Sequence, residues 1–137
     1  MPDLTTFRPR GARVVAYVVA VILLVMTAAI AFALPDDINF TTAETVTLWI
    51  IILTVLALLH GVGRSFVRVT DEGVDVLNGY RRHSVAWSDV EGFAMNSGAP
   101  WATLVTKDDE RVMLFAIQGS DGPSARRAVE YLRSRLP

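Results

Sequence analysis

Few residues in this 137-residue chain have the chemistry of a catalyst. His60 closes a long apolar run, and His83 alternates with Val85 and Trp87 on one face of an extended stretch. Neither has a partner at the spacing a metal centre needs, where several His, Cys or carboxylate groups recur on one hairpin or helix face. Asp108, Asp109 and Glu110 are adjacent, and in a tight turn neighbouring acids point in different directions, so a solvated turn is expected rather than a cation site. The chain has no cysteine, which excludes disulfides, thiolate metal sites and thiol nucleophiles. Gly61-Val62-Gly63 lacks the Lys-Ser/Thr ending of a phosphate loop and precedes no soluble helix. The sequence therefore predicts no catalytic residue, no metal site and no cofactor, and the chain is not expected to be an enzyme.

Binding chemistry is better represented. Arg64 and Arg68 follow the second apolar run and Arg81 and Arg82 sit at a turn, so all four are candidate contacts for anionic lipid headgroups. The competing reading is a solvated basic rim that only sets membrane orientation. Trp87 and Trp101 could each hold a ligand, but both lie on alternating apolar faces and are expected in the core. A net charge of −1 gives no basic excess, so nucleic acid is not an expected partner.

The elements that must position these residues fall into two textures. Residues 14–34 and 45–63 contain no Asp, Glu, Lys or Arg. As helices of about 1.5 Å rise per residue they are long enough to cross a bilayer, and they are expected to be two transmembrane segments. The basic residues Arg8, Arg10 and Arg13 lie in residues 1–13, a segment without a regular start that reads as a mobile cytoplasmic flank. Residues 35–44 carry Asp36, Asp37 and Glu44 and no Lys or Arg, so that loop is expected outside and both termini inside. A cleaved signal peptide competes for the first segment, since Ala31-Phe32-Ala33 suits cleavage, but the apolar core is longer than the about 7 to 15 residues usual for a signal.

From residue 64 onward, period-two alternation and turn residues recur. Strands are predicted at 65–70, 74–78, 82–87, 90–96, 101–106 and 111–117, with turns at Asp71-Glu72-Gly73, Asn78-Gly79 and 107–110. The period then changes: Ala125, Ala128, Val129, Leu132 and Leu136 make the apolar stripe of one amphipathic helix opening near Pro123. The expected fold is a two-helix transmembrane hairpin followed, at 64–137, by a small α+β domain, an antiparallel sheet or half-barrel closed by one C-terminal helix.

Val74-Asp75-Val76-Leu77-Asn78, Val85-Ala86-Trp87-Ser88-Asp89-Val90, Arg111-Val112-Met113-Leu114-Phe115-Ala116-Ile117 and Ala128-Val129-Glu130-Tyr131-Leu132-Arg133, behind two apolar helices, resemble the actinobacterial PH-domain membrane protein family of the low-molecular-weight protein antigen 6 type. Trp87, Ser88 and Asp89 form its most specific motif here, with a structural role. The resemblance implies a pleckstrin-homology-like domain on a membrane hairpin, without enzymatic activity. PH domains that hold phosphoinositides carry basic residues around the first hairpin loop, where this chain has Thr70-Asp71-Glu72-Gly73. The expectation is thus a binding or scaffolding module at the cytoplasmic face, with the lipid bilayer and a protein as partners. The alternative is a regulatory or structural subunit packing through its helices into a larger membrane complex, for which Ala16, Ala20, Ala28 and Ala31 would allow close approach.

Overall fold

The computed structural model describes residues 5–137. Residues 1–4, with Pro2 and Asp3 of the basic flank, lie outside the described residues. Two helices come first, α1 (Arg10–Ala33) and α2 (Thr42–Arg64), each long and apolar enough to cross a membrane. α2 opens with a capping box: Thr41 Oγ1 accepts from Glu44 N–H at 3.3 Å while Thr41 N–H donates to the Glu44 carboxylate at 2.8 Å. Within the apolar stretches, Thr27, Thr47 and Thr54 hydroxyls donate to the carbonyls four residues back, so these polar groups need no water. Ala16 and Ile52, outside the domain core, are buried where α1 and α2 pack. The small side chain of Ala16 therefore serves the chain's own hairpin.

The remainder folds as two antiparallel sheets and a helix, as the alternation predicts. Strand β1 (Thr6–Phe7) joins β2 (Phe66–Val69), β3 (Gly73–Asn78) and β4 (Arg81–Ala86) in the order β1-β2-β3-β4. A single 3-10 turn, Trp87–Asp89, leads to the second sheet, β5 (Val90–Ala94), β6 (Trp101–Thr106) and β7 (Arg111–Gln118), in chain order. The sheets do not close into a barrel. The Asn78 side chain, at the end of the inner strand β3, links the first sheet to β7: it donates through Nδ2 to Met113 O at 2.6 Å and accepts from Phe115 N–H at 3.2 Å. Helix α3 (Pro123–Ser134) packs over β5 and β7. Val67, Val69, Val74 and Val76 from the first sheet meet Phe93, Leu104, Leu114 and Ile117 from the second, and Ala125, Ala128, Val129 and Leu132 of α3 cover the open side.

Strand β1 corrects the reading of residues 1–13 as a free flank. Phe7 pairs with Val67 and Thr6 with Arg68, and Val69 N–H donates to Thr5 O at 2.8 Å. Phe7 packs edge-to-face on Tyr131 of α3 with ring centroids 5.8 Å apart, and Thr5 Oγ1 donates to the Tyr131 hydroxyl at 3.0 Å. Pro9 is fully buried behind them. Pro9 does not disorder this segment; it ends a short strand and begins a helix, where proline's missing N–H costs nothing. Phe7→Ala is expected to destabilise the domain by about 2 kcal/mol, less than for a fully buried ring because Phe7 is half-buried. Pulse proteolysis of the full chain in detergent micelles checks this, and an unchanged midpoint would mean that β1 does not hold the sheet.

Candidate functional site

The joint between α2 and the domain is built on glycines. A Cβ at Gly61 would lie 2.9 Å from the Tyr80 ring, and one at Gly63 would lie 2.9 Å from the Tyr17 ring. Gly61-Val62-Gly63 is therefore a double seat, one tyrosine coming from the β3–β4 turn and the other from α1. The Tyr80 hydroxyl donates to Ala57 O, and the Arg64 guanidinium lies over the Tyr80 ring, 5.2 Å from its centroid. Ser65 locks the same corner: its hydroxyl donates to Gly61 O at 3.0 Å and accepts from Gly79 N–H at 2.9 Å. Gly79 holds φ +62°, a left-handed conformation that suits glycine at a tight hairpin turn.

This joint encloses an apolar groove of about 400 Å³. Leu58 and Val62, one helical turn apart on α2, form one wall; Gly79 and Tyr80 form the end, and Trp101 with Phe115 form the other wall. A register shift between β6 and β7 makes the second wall. Ala102 pairs with Leu114 but Trp101 pairs with Gln118, so Phe115, Ala116 and Ile117 have no opposite partner. Phe115 and Trp101 then meet edge-to-face, 4.8 Å between ring centroids. Trp101 is accordingly not a core residue, contrary to the sequence expectation. On β6 it is Ala102, Leu104 and Thr106 that point inward, and Trp101 faces the groove.

The four candidate arginines do not form one cluster. Arg81 lines the groove and Arg64 lies beside it over Tyr80. Arg68 lies over the Phe66 ring at 5.0 Å on the outward face of the first sheet, in register with Asp75, and Arg82 pairs with Leu77 on that same face. Trp87 packs against the core, edge-to-face with Phe93 at 6.4 Å, and its Nε1–H donates to Thr70 O at 3.0 Å. Ser88 and Asp89 complete its turn and are exposed. His60 lies 3.2 Å from the Tyr17 hydroxyl through Nδ1, and His83 pairs with Val76 across β3 and β4, half-buried. Asp108, Asp109 and Glu110 are exposed at the β6–β7 turn. Among the described residues no group of three His, Cys, Asp or Glu could hold a metal ion.

Residues 64–135, which hold β2 to β7 and α3, match a family model, the bacterial PH domain. This chain belongs to the bacterial PH domain family. Uncharacterized proteins of Mycobacterium tuberculosis, strains H37Rv and CDC 1551, and of Mycobacterium bovis are each 32% identical to it over 97 residues. That match covers 71% of this chain and 63% of each relative, so the chain spans less than two thirds of the relatives' length. These relatives agree with the actinobacterial resemblance seen in the sequence. No solved structure matches the chain. Membership in the PH family suggests a binding or scaffolding module rather than a catalyst.

In that family setting the acidic loop acquires a structural explanation. The 70–73 turn is closed on itself, with Gly73 N–H donating to Thr70 Oγ1 at 3.0 Å, and is tied to Trp87 by Trp87 N–H donating to Glu72 O at 3.0 Å. Asp71, Glu72 and Asp75 surround it. This is an unfavourable place for an inositol phosphate. Sequence reasoning missed Tyr17, Tyr80, Asn78 and Phe115 as joint residues. The only local signal was Asn78-Gly79-Tyr80, which announces a turn without naming what packs on it.

Proposed function

We propose that the chain is a membrane-anchored PH-like binding or scaffolding module, with α1 and α2 spanning the bilayer and the domain held at the cytoplasmic face. The observation that carries this reading is the adjacency of β1 and β2. β1 runs directly into α1 and β2 follows directly from α2, so one sheet grips both helices at the same end. Two apolar helices leaving one small domain together, with only residues 34–41 between their far ends, make a hairpin whose polar ends share one side.

Charge supplies the orientation. Arg10 and Arg13 open α1, where the helix dipole disfavours cations. Helix stability gives no reason for them, whereas the bias of Lys and Arg toward cytoplasmic flanks does. Arg64 ends α2 on the same side, and Asp36, Asp37 and Glu44 occupy the opposite connection. The domain then works as a binding surface, with the bilayer and a cytoplasmic protein as its partners and no reaction of its own. A reporter that is active only in the cytoplasm, fused after Pro137, is expected to be active, and one active only outside is expected to work when inserted near Asn39. The reverse pattern would overturn the topology.

A further inference from the structure

We propose that the groove between α2 and the domain holds an acyl chain of an anionic phospholipid from the adjoining leaflet, with the lipid phosphate at Arg64 and Arg81. This rests on the membrane-anchored reading above and names the ligand of that joint. Three observations carry it. First, the groove is continuous with the apolar surface of α2. Leu58 is 65% exposed and Val62 42% exposed, and these same residues are the groove's wall. A lipid already packed along α2 reaches the groove without crossing water.

Second, the lining has little for a water-soluble ligand. Against its apolar walls it offers the hydroxyl of Tyr80, already donated to Ala57, the hydroxyl of Ser65, already used in the joint, the amides of Asn78 and Gln118, the Trp101 indole N–H and the Arg81 guanidinium. Of those amides, Asn78 is committed to β7. A site that recognises a polar metabolite needs several placed donors and acceptors, whereas here the uncommitted groups are chiefly donors, Arg81 and the Trp101 N–H, and no carboxylate is among them. Third, the charge at its mouth is positive. Arg81 lines it and Arg64 stands over Tyr80, while no acid lines it. By contrast, the clefts beside α3 contain Glu130 or Asp121, and the cleft at the first hairpin turn contains Asp71, Glu72 and Asp75. An apolar slot opening from a bilayer-spanning helix, rimmed by arginine and by the aromatic residues Trp101 and Tyr80, suits one molecule that is apolar below and anionic at the interface.

The test uses the full chain reconstituted in lipid nanodiscs, with Trp101 as reporter. A Trp49→Phe/Trp87→Phe variant keeps Trp101 alone, and a Trp87→Phe/Trp101→Phe variant keeps Trp49 alone to report insertion. Nanodiscs of phosphatidylcholine are doped with brominated-acyl phosphatidylglycerol or, at equal mole fraction, brominated-acyl phosphatidylcholine. Trp101 is expected to be quenched by both, and more strongly by phosphatidylglycerol, since two arginines enrich an anionic lipid about tenfold to thirtyfold. That preference should vanish in Arg64→Gln/Arg81→Gln. No quenching of Trp101 while Trp49 is quenched would overturn the groove and leave the anchored reading standing. Equal quenching by the two lipids would overturn the arginine assignment. Absence of quenching at Trp49 as well would overturn the anchored reading and this inference with it. Should Trp87→Phe fail to fold, native mass spectrometry of the unsubstituted chain released from equimolar nanodiscs decides the same point: retained phosphatidylglycerol supports the proposal, and equal retention of both lipids overturns it.

Discussion

Replacing Trp87 by alanine is expected to lower the unfolding free energy of the domain by about 3 kcal/mol, the lower end of the range for deleting a large aromatic side chain. The lower end applies because the indole is half-buried. It packs against the core beside Phe93 and donates to Thr70 O, so truncation opens a gap and leaves that carbonyl without its donor. A PH domain of this size has little reserve against such a loss, since small domains hold about 5 to 15 kcal/mol in all. Pulse proteolysis of the full chain in micelles, read against urea, should show the midpoint falling by about 2 to 3 M at an m-value near 1 to 1.5 kcal/mol/M. An unmoved midpoint would mean that the indole contributes nothing to the fold, and would make it a candidate for binding instead.

How far the sequence could be read follows from what each signal measures. Alternation has a strict period of two, so it located strands β2 to β7 within a few residues. Of the predicted helical stripe, Ala125, Ala128, Val129 and Leu132 are buried, whereas Leu136 lies beyond the end of α3 and is half-buried. Alternation fails where both parities are apolar. At Trp101-Ala102 it cannot choose a face, and the register shift there sends the larger residue outward. It also fails for β1, because two residues show no period and their partner β2 lies beyond two helices in the chain. The groove was illegible for the same reason: Leu58, Tyr80 and Phe115 are far apart in sequence, and tertiary contacts, among them the Ser65, Asn78 and Tyr80 hydrogen bonds, bring them together. Gly61 and Gly63 were conspicuous, yet what a glycine admits is known only from the ring that lies on it.

Gly73→Ala is expected to cost about 3 kcal/mol, an effect as large as that at Trp87 from adding a single methyl group. The cause is not backbone conformation, since Gly73 is not among the glycines with positive φ. A Cβ there would stand 2.0 Å from the carbonyl oxygen of Val85 and 2.8 Å from Cα of Ala86. Both obstacles are backbone of β4, the strand to which Gly73 is paired, so neither can swing aside as a side chain would. Relief requires β3 and β4 to part at the Gly73–Ala86 pair, beside the place where Trp87 is tied to Glu72 and Thr70. Gly73→Ala and Trp87→Ala therefore damage one turn, and the double variant should lose less than the sum, with a coupling of about 1 kcal/mol. Gly92→Ala is the matched control: nothing lies within 4 Å of its Cβ, and the change should be neutral or slightly stabilising. The same proteolysis assay reads all four variants. If Gly73→Ala unfolds no more readily than Gly92→Ala, the close approach of the two strands at this turn is not present in solution, and the acidic loop is free to open.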